Sequence, residues 1–170
     1  FVVGLSFTIF NTFIPSVFSI DFGENSNSIV SAIMLTGLFG QVLSGYLGDR
    51  FDRIKLLSFV FVLLLPLFIS IMFVGKNLLI IISVLLAMIM YSIQPLINSI
   101  IKDITTVKIR SVVFGLNFFL MFGLSGLAAY LGGLIADNYS FKLIFPIFAL
   151  LFPIGILLLY FLNEKRKVRV

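Results

Sequence analysis

Among the polar side chains set inside the long apolar runs of this chain are four amides and a phenol, Asn11, Tyr91, Gln94, Asn98 and Asn117. Such groups donate and accept hydrogen bonds, which suits them to recognising a small solute. Catalysis finds little support. Cys and His are absent, which removes thiol nucleophiles, imidazole bases, disulfides and the usual zinc or copper ligands. No Asp, Glu, Lys or Arg falls in the middle of an apolar run, so neither a buried base nor a carboxylate carrying a coupling proton is available there. Gly75-Lys76 is followed by Asn77 and lacks a Gly five residues before it, which excludes a phosphate loop and ATP drive from within this chain. No catalytic residue, metal site or cofactor is therefore expected.

Spacing groups these polar residues into faces. Thr8, Asn11, Thr12, Pro15 and Ser19 share one side of a helix, and Tyr91, Gln94 and Asn98 share another beside Pro95, which lacks the N–H that would satisfy a carbonyl one turn back. Asn117 sits among Phe114, Phe118 and Met121. Amides are costly in hydrocarbon unless partnered, so these faces either line a wet cavity, where Asn11, Tyr91, Gln94, Asn98 and Asn117 are candidate solute-binding residues, or join helices by hydrogen bonds.

The elements that must carry these faces follow from composition. At 61% hydrophobic and 11% charged residues, the 170-residue chain exceeds what a soluble core can hide. Apolar runs at about 2–20, 29–47, 56–74, 78–101, 112–136 and 141–162 predict six transmembrane helices in one domain, followed by a basic tail over 163–170. Each run is far longer than the ~10-residue alternating segments of a membrane barrel. The class expected is thus all-α, a polytopic bundle with the lipid bilayer as its main partner.

Charge sets the orientation. Placing alternate breaks on opposite sides puts ten basic residues on one side (Arg50, Arg53, Lys55, Lys102, Lys108, Arg110, Lys165, Arg166, Lys167, Arg169) and only Lys76 and Lys142 on the other. The richer side is expected to be cytosolic, with both ends of the segment inside and the plasma membrane as location. An odd number of crossings would have mixed the two sets. The net charge of +5 is read as this topology signal, and no nucleic-acid partner is expected. Phe1 runs directly into an apolar span without a charged leader or cleavage site, so a fragment is expected in preference to a signal peptide. The sequon Asn138-Tyr139-Ser140 hugs the membrane on the outer side and is not expected to be used.

Spans three and six carry almost no polar side chains beyond Ser58 and Ser70 and read as peripheral. Spans one, two, four and five hold the amides, including Gln41, and two stripes of small residues, Gly40/Ser44/Gly48 and Ser125/Ala129/Gly133, and read as central.

Between spans two and three lies Gly45-Tyr46-Leu47-Gly48-Asp49-Arg50-Phe51-Asp52-Arg53-Ile54-Lys55. This resembles the cytosolic loop signature of the major facilitator superfamily: Gly, three residues, Asp, a basic residue, then Gly and further basic residues. Asp52 stands where the family usually has Gly, and Ile54 where a basic residue is common. The resemblance extends over the whole chain, since six-helix halves of that family also place helices one, two, four and five around the cavity. It implies half of a major facilitator fold built from two inverted three-helix repeats, with the other six-helix half as partner, and alternating-access transport of a small solute. The C-terminal half is favoured, because the motif is degraded and the chain ends in a basic tail, with the N-terminal half as the alternative. Ala128 and Ala129 stand where an antiporter-type Gly-Pro pair would be, so antiport gains no support.

On this resemblance Gly45, Asp49, Arg50 and Arg53 form a conformational latch. Gly45 would permit close helix contact, Asp49 would accept N–H bonds at a helix N-terminus, and Arg50 and Arg53 would pair with Asp49, Asp52 or carboxylates of the other half. The alternative is that they are ordinary basic anchors. A membrane sensor or scaffold of the same fold is the alternative function.

Orientation is directly testable. Single cysteines at Asn25 and Asn138 should react with a membrane-impermeant thiol reagent in intact cells, and one at Arg166 should not. Labelling at Arg166 alone would overturn the topology.

Overall fold

Hydrocarbon offers no partner to a backbone N–H or C=O, so a chain of this composition must close its hydrogen bonds within each segment, as a helix does. The computed structural model describes the backbone of residues 1–168 and the side chains of residues 1–165, and every regular element among them is helical. Five helical runs are long and apolar enough to cross a membrane: Val2–Arg50, Arg53–Ser70, Lys76–Ile104, Val107–Asn138 and Phe141–Lys165.

The first run, 49 residues, would stretch ~74 Å if straight, more than twice the ~30 Å of a hydrocarbon layer. It folds back instead. Gly23 takes φ +57°, the one positive φ among the described residues and a conformation that glycine reaches without steric cost. A 3-10 turn over Gly23–Asn25 then separates α1 (Val2–Phe22) from α2 (Ser26–Arg50), and the two pack together. With this hairpin the bundle has six legs.

α3 (Arg53–Ser70) and α4 (Lys76–Ile104) are the next two. Asp52 starts α3 by accepting from the Ile54 and Lys55 amides at 3.0 and 3.1 Å. The fifth leg is α5 (Val107–Phe118), a π turn over Phe119–Gly123, and α6 (Gly126–Asn138). Its signature is the Leu124 N–H donating to the Phe119 carbonyl, five residues back, at 3.2 Å. The sixth is α7 (Phe141–Ala149) and α8 (Leu151–Val168), broken at Leu150. Pro153 has no N–H to offer the Ala149 carbonyl, and its ring crowds that carbonyl, which accounts for the break.

Small residues set the closest helix contact. α2 lies along α4 with Gly37, Gly40, Ser44 and Gly48 buried in the seam. A Cβ at Gly40 would collide with the Met88 carbonyl, and one at Gly37 would stand 2.7 Å from the Tyr91 ring. One face of α1 is enclosed, with Ile9, Phe10, Ile14, Val17 and Phe18 fully buried against its neighbours. Behind it, Phe68 of α3 meets Phe152 edge-on at 5.0 Å between centroids and Phe145 at 5.7 Å, tying α3 to the sixth leg.

Several expectations shift. The helices overrun the predicted spans: α2 reaches Arg50, α4 reaches Ile104, and α8 continues to Val168 through most of the stretch expected to be a tail. Residues 169 and 170, and the side chains of Arg166, Lys167 and Val168, lie outside the described residues. The stripe Gly40/Ser44/Gly48 is buried as expected. Beyond the π turn the buried small residues are Ser125, Ala128 and Gly132, so that two of the expected Ser125/Ala129/Gly133 shift by one position. The doublets Ala128-Ala129 and Gly132-Gly133 offer two rows of equal size. Phe13 and Ile9 of α1, which press on Gly132, select one of them. Gly45, expected at a close contact, has no neighbour within 4 Å of an added Cβ; the intimate crossing lies further along α2, at Gly37 and Gly40.

Gly40→Ala should therefore destabilise the bundle by roughly 1–3 kcal/mol through overpacking, whereas Gly45→Ala should be near neutral. Thermal unfolding of the two variants in detergent checks this, and equal midpoints would remove Gly40 from its structural role.

Candidate functional site

Near the middle of α1 and α4, polar groups converge. The Asn11 Nδ2 donates to the Phe7 carbonyl at 2.8 Å, which holds the amide on its helix with Oδ1 turned outward. The Tyr91 hydroxyl of α4 donates to that oxygen at 3.1 Å and stands 3.7 Å from the Met34 sulfur of α2, while its ring meets Phe7 edge-on at 5.3 Å. One turn further, Gln94 Nε2 donates to Asn98 Oδ1 at 3.4 Å. The Gln94 oxygen and the Asn98 NH2 group have no partner among the described residues.

A cavity of about 110 Å³ opens here, lined on its polar side by Gln41, Tyr91 and Gln94 and on its apolar side by Phe7, Met121 and Phe122. Pro15 and Pro95 each stand four residues beyond one member of the Asn11–Tyr91 pair. Each lacks an N–H for the carbonyl four residues back, and those carbonyls belong to Asn11 and Tyr91, the two residues joined by the hydrogen bond. The face of α1 that carries Thr8, Asn11, Thr12, Pro15 and Ser19 is its open side, half-buried or exposed while the opposite face is fully enclosed.

Of the predicted binding residues, Asn11, Tyr91, Gln94 and Asn98 are thus brought together, Asn98 through Gln94. Asn117 is not. It lines a separate, larger cleft of about 450 Å³ whose other walls are apolar residues of α1, α3, α4 and α8. Its Nδ2 lies 3.9 Å from the Met121 sulfur. The π turn separates it from the cavity wall: Met121 and Phe122, within the turn, reach the cavity, and Asn117, before it, does not. Gln41 lines the cavity and was not among the predicted contacts; it is the lone amide in its span, and its helical neighbour Ser44 read as part of the stripe of small residues.

The second constellation sits where α2 ends, α3 begins and α4 ends. Arg53 is its hub. Its Nε donates to the Gly48 carbonyl at 2.9 Å, one terminal nitrogen donates to Asp103 at 2.7 Å, and the other donates to Asp49 at 3.2 Å. Asp49 is therefore an exposed partner of Arg53 and not the helix cap expected; the α3 amides go to Asp52, the residue that departs from the motif. Arg50, expected to pair with a carboxylate, stacks over the Tyr46 ring at 4.2 Å. Asp103 was not foreseen, because fifty residues separate it from Arg53 and nothing local distinguishes it from any acid in a loop. Nearby, Arg110 donates to the Lys102 and Thr105 carbonyls at 3.2 Å each, placing a cation at the C-terminus of α4 where the macrodipole favours it.

At the opposite end both lysines are engaged. Lys142 donates to Asp21 at 3.1 Å, joining the end of α1 to the start of α7, and Lys76 lies 4.5 Å over the Phe22 ring. Among the described residues, no group of three or more His, Cys, Asp or Glu forms a metal-binding cluster.

A family model described as Major Facilitator Superfamily matches residues 1–170. No curated protein and no solved structure matches the chain.

The Arg53 hub orders its two partners. Asp49, whose side chain is 80% exposed, should contribute less than about 1 kcal/mol. Asp103, shorter-bonded and 36% exposed, should contribute about 1–2 kcal/mol. Thermal unfolding of Asp49→Asn and Asp103→Asn in detergent should show the second to be the more damaging, and the reverse order would displace Arg53–Asp103 as the main tie.

Proposed function

The chain belongs to the Major Facilitator Superfamily, and we propose that it forms one six-helix half of a transporter that moves a small solute by alternating access against a second, similar half. Membership makes it an integral membrane transport protein; the mechanism, the second half and the site are our reading. The observation that carries it is the half-open polar face of α1 and α4 at mid-depth, where Tyr91 and Gln94 line a cavity and are hydrogen-bonded to Asn11 and Asn98 beside it. Buried polar groups in hydrocarbon are costly, and a face that keeps unspent donors and acceptors beside a cavity is suited to a solute.

Three features support the mechanism. The open side of α1 bears the polar residues, as a wall completed by another half would require. α5 has no buried residue, and Leu35, Phe39 and Val42 of α2 are exposed, which leaves apolar surface for a second bundle to cover. The Arg53 hub ties three helix ends by polar bonds that rigid-body rocking can make in one state and break in another. In this reading the basic end is cytosolic, the membrane is the plasma membrane, and Gly45, Asp49, Arg50 and Arg53 belong to the latch, whose bonded centre is Arg53 with Asp49 and, added to the set, Asp103.

Water access tests the site without a known cargo. Cysteines at Asn11, Gln94 and Asn98 should react with a small polar thiol reagent, and one at Leu157, exposed on α8, should not. Once a transported solute is found, Gln94→Ala should weaken its apparent affinity about two- to tenfold, the loss of one hydrogen bond. Inertness at all three polar positions in both inward- and outward-facing conditions would mean that the amides only join helices.

A further inference from the structure

Two hollows on one side of the bundle share Leu56 and Phe59 of α3. One, of about 340 Å³, opens at the basic end beside Phe51, Asp52 and Lys55. The other, of about 230 Å³, continues inward between α2, α3 and α4 as far as Leu63, Leu43 and Leu85. Together they form a groove that follows α3 from Lys55 to Leu63, ~12 Å at the helical rise.

The groove is hydrocarbon-like along its length. Its two hydroxyls are turned to their own helices: Ser44 donates to the Gln41 carbonyl at 3.0 Å and Ser92 to the Ile89 carbonyl at 2.6 Å, so neither offers a proton to an occupant. Phe59, Leu43 and Leu85 form exposed apolar rims. The mouth carries one ammonium, Lys55, and one carboxylate, Asp52. Arg53 is committed to Asp49 and Asp103, and Asp52 takes the Ile54 and Lys55 amides, which leaves the exposed Lys55 side chain to meet whatever enters. Around it the basic end carries Arg50, Arg53, Lys55, Lys102, Lys108, Arg110 and Lys165 against Asp49, Asp52, Asp103 and Glu164 among the described residues, seven charges to four.

We propose that this groove is a binding site for one anionic phospholipid, with an acyl chain between α2, α3 and α4 and the headgroup phosphate at the Lys55 ammonium. An apolar slot with an exposed ammonium at its mouth matches both parts of such a molecule, and the surplus positive charge of the surrounding basic end selects an anionic headgroup over a zwitterionic one. The site is independent of the transport pathway and of the solute.

The experiment is native mass spectrometry of the full protein released from vesicles of equal phosphatidylglycerol and phosphatidylcholine. Wild type should retain one phosphatidylglycerol in preference to phosphatidylcholine. Lys55→Gln should lower that preference about fivefold, and Lys55→Arg should keep it. Leu63→Trp, which fills the groove, should lower retention of both lipids while circular dichroism reports an unchanged helical fold. Equal retention of the two lipids by wild type, or unchanged retention in Leu63→Trp, would overturn the proposal. So would shielding of a cysteine at Leu63 from a bilayer-soluble reagent with no lipid retained, which would identify the occupant as a protein helix.

Discussion

At Gly40 the backbone of α2 approaches the Met88 carbonyl of α4 more closely than any side chain would allow. Lipid tails are as apolar as leucine, so helices in a membrane gain little from hydrophobic burial and depend on close van der Waals packing. The α2–α4 seam supplies it through Gly37, Gly40, Ser44 and Gly48. Other features hang from this line. Gly37 makes room for the Tyr91 ring, which fixes the hydroxyl that reaches Asn11. Gly48 accommodates Leu96 and turns its carbonyl to Arg53, which brings Asp103 into the same cluster.

Polar groups at mid-depth follow a shared logic in α1 and α4. Each helix carries a proline four residues beyond a hydrogen-bonding side chain, Asn11 before Pro15 and Tyr91 before Pro95. A side-chain dipole and a released carbonyl thereby fall at the same level of the same helix. The two levels meet across the bundle, so the most polar part of the interior is assembled from two copies of one local device.

Much of this was legible in the residues themselves. Apolar runs located the six legs, because the period and length of a membrane helix leave few alternatives, and Asn11, Tyr91, Gln94 and Asn98 declared a face by their spacing. What stayed hidden depended on contacts between distant segments. Asp103 acquires its role only from Arg53, and Asp52 could be told from Asp49 as the cap of α3 only once the helix was seen to start at Arg53. The π turn, beyond which Met121 and Phe122 reach the cavity while Asn117 does not, has no proline to announce it; helical spacing groups Asn117 with Met121, and the two do meet, at 3.9 Å.

That turn also changes how the fifth leg is held. An extra residue in one turn advances everything beyond it by ~100° relative to an unbroken α-helix, so α5 and α6 are two screws joined out of phase. α6 is keyed to α1, with Gly132 seated under Phe13, while α5 is pinned at its far end, where Arg110 holds the last carbonyls of α4. The two halves are thus fixed by separate contacts, α6 by α1 and α5 by α4, on either side of this change of phase.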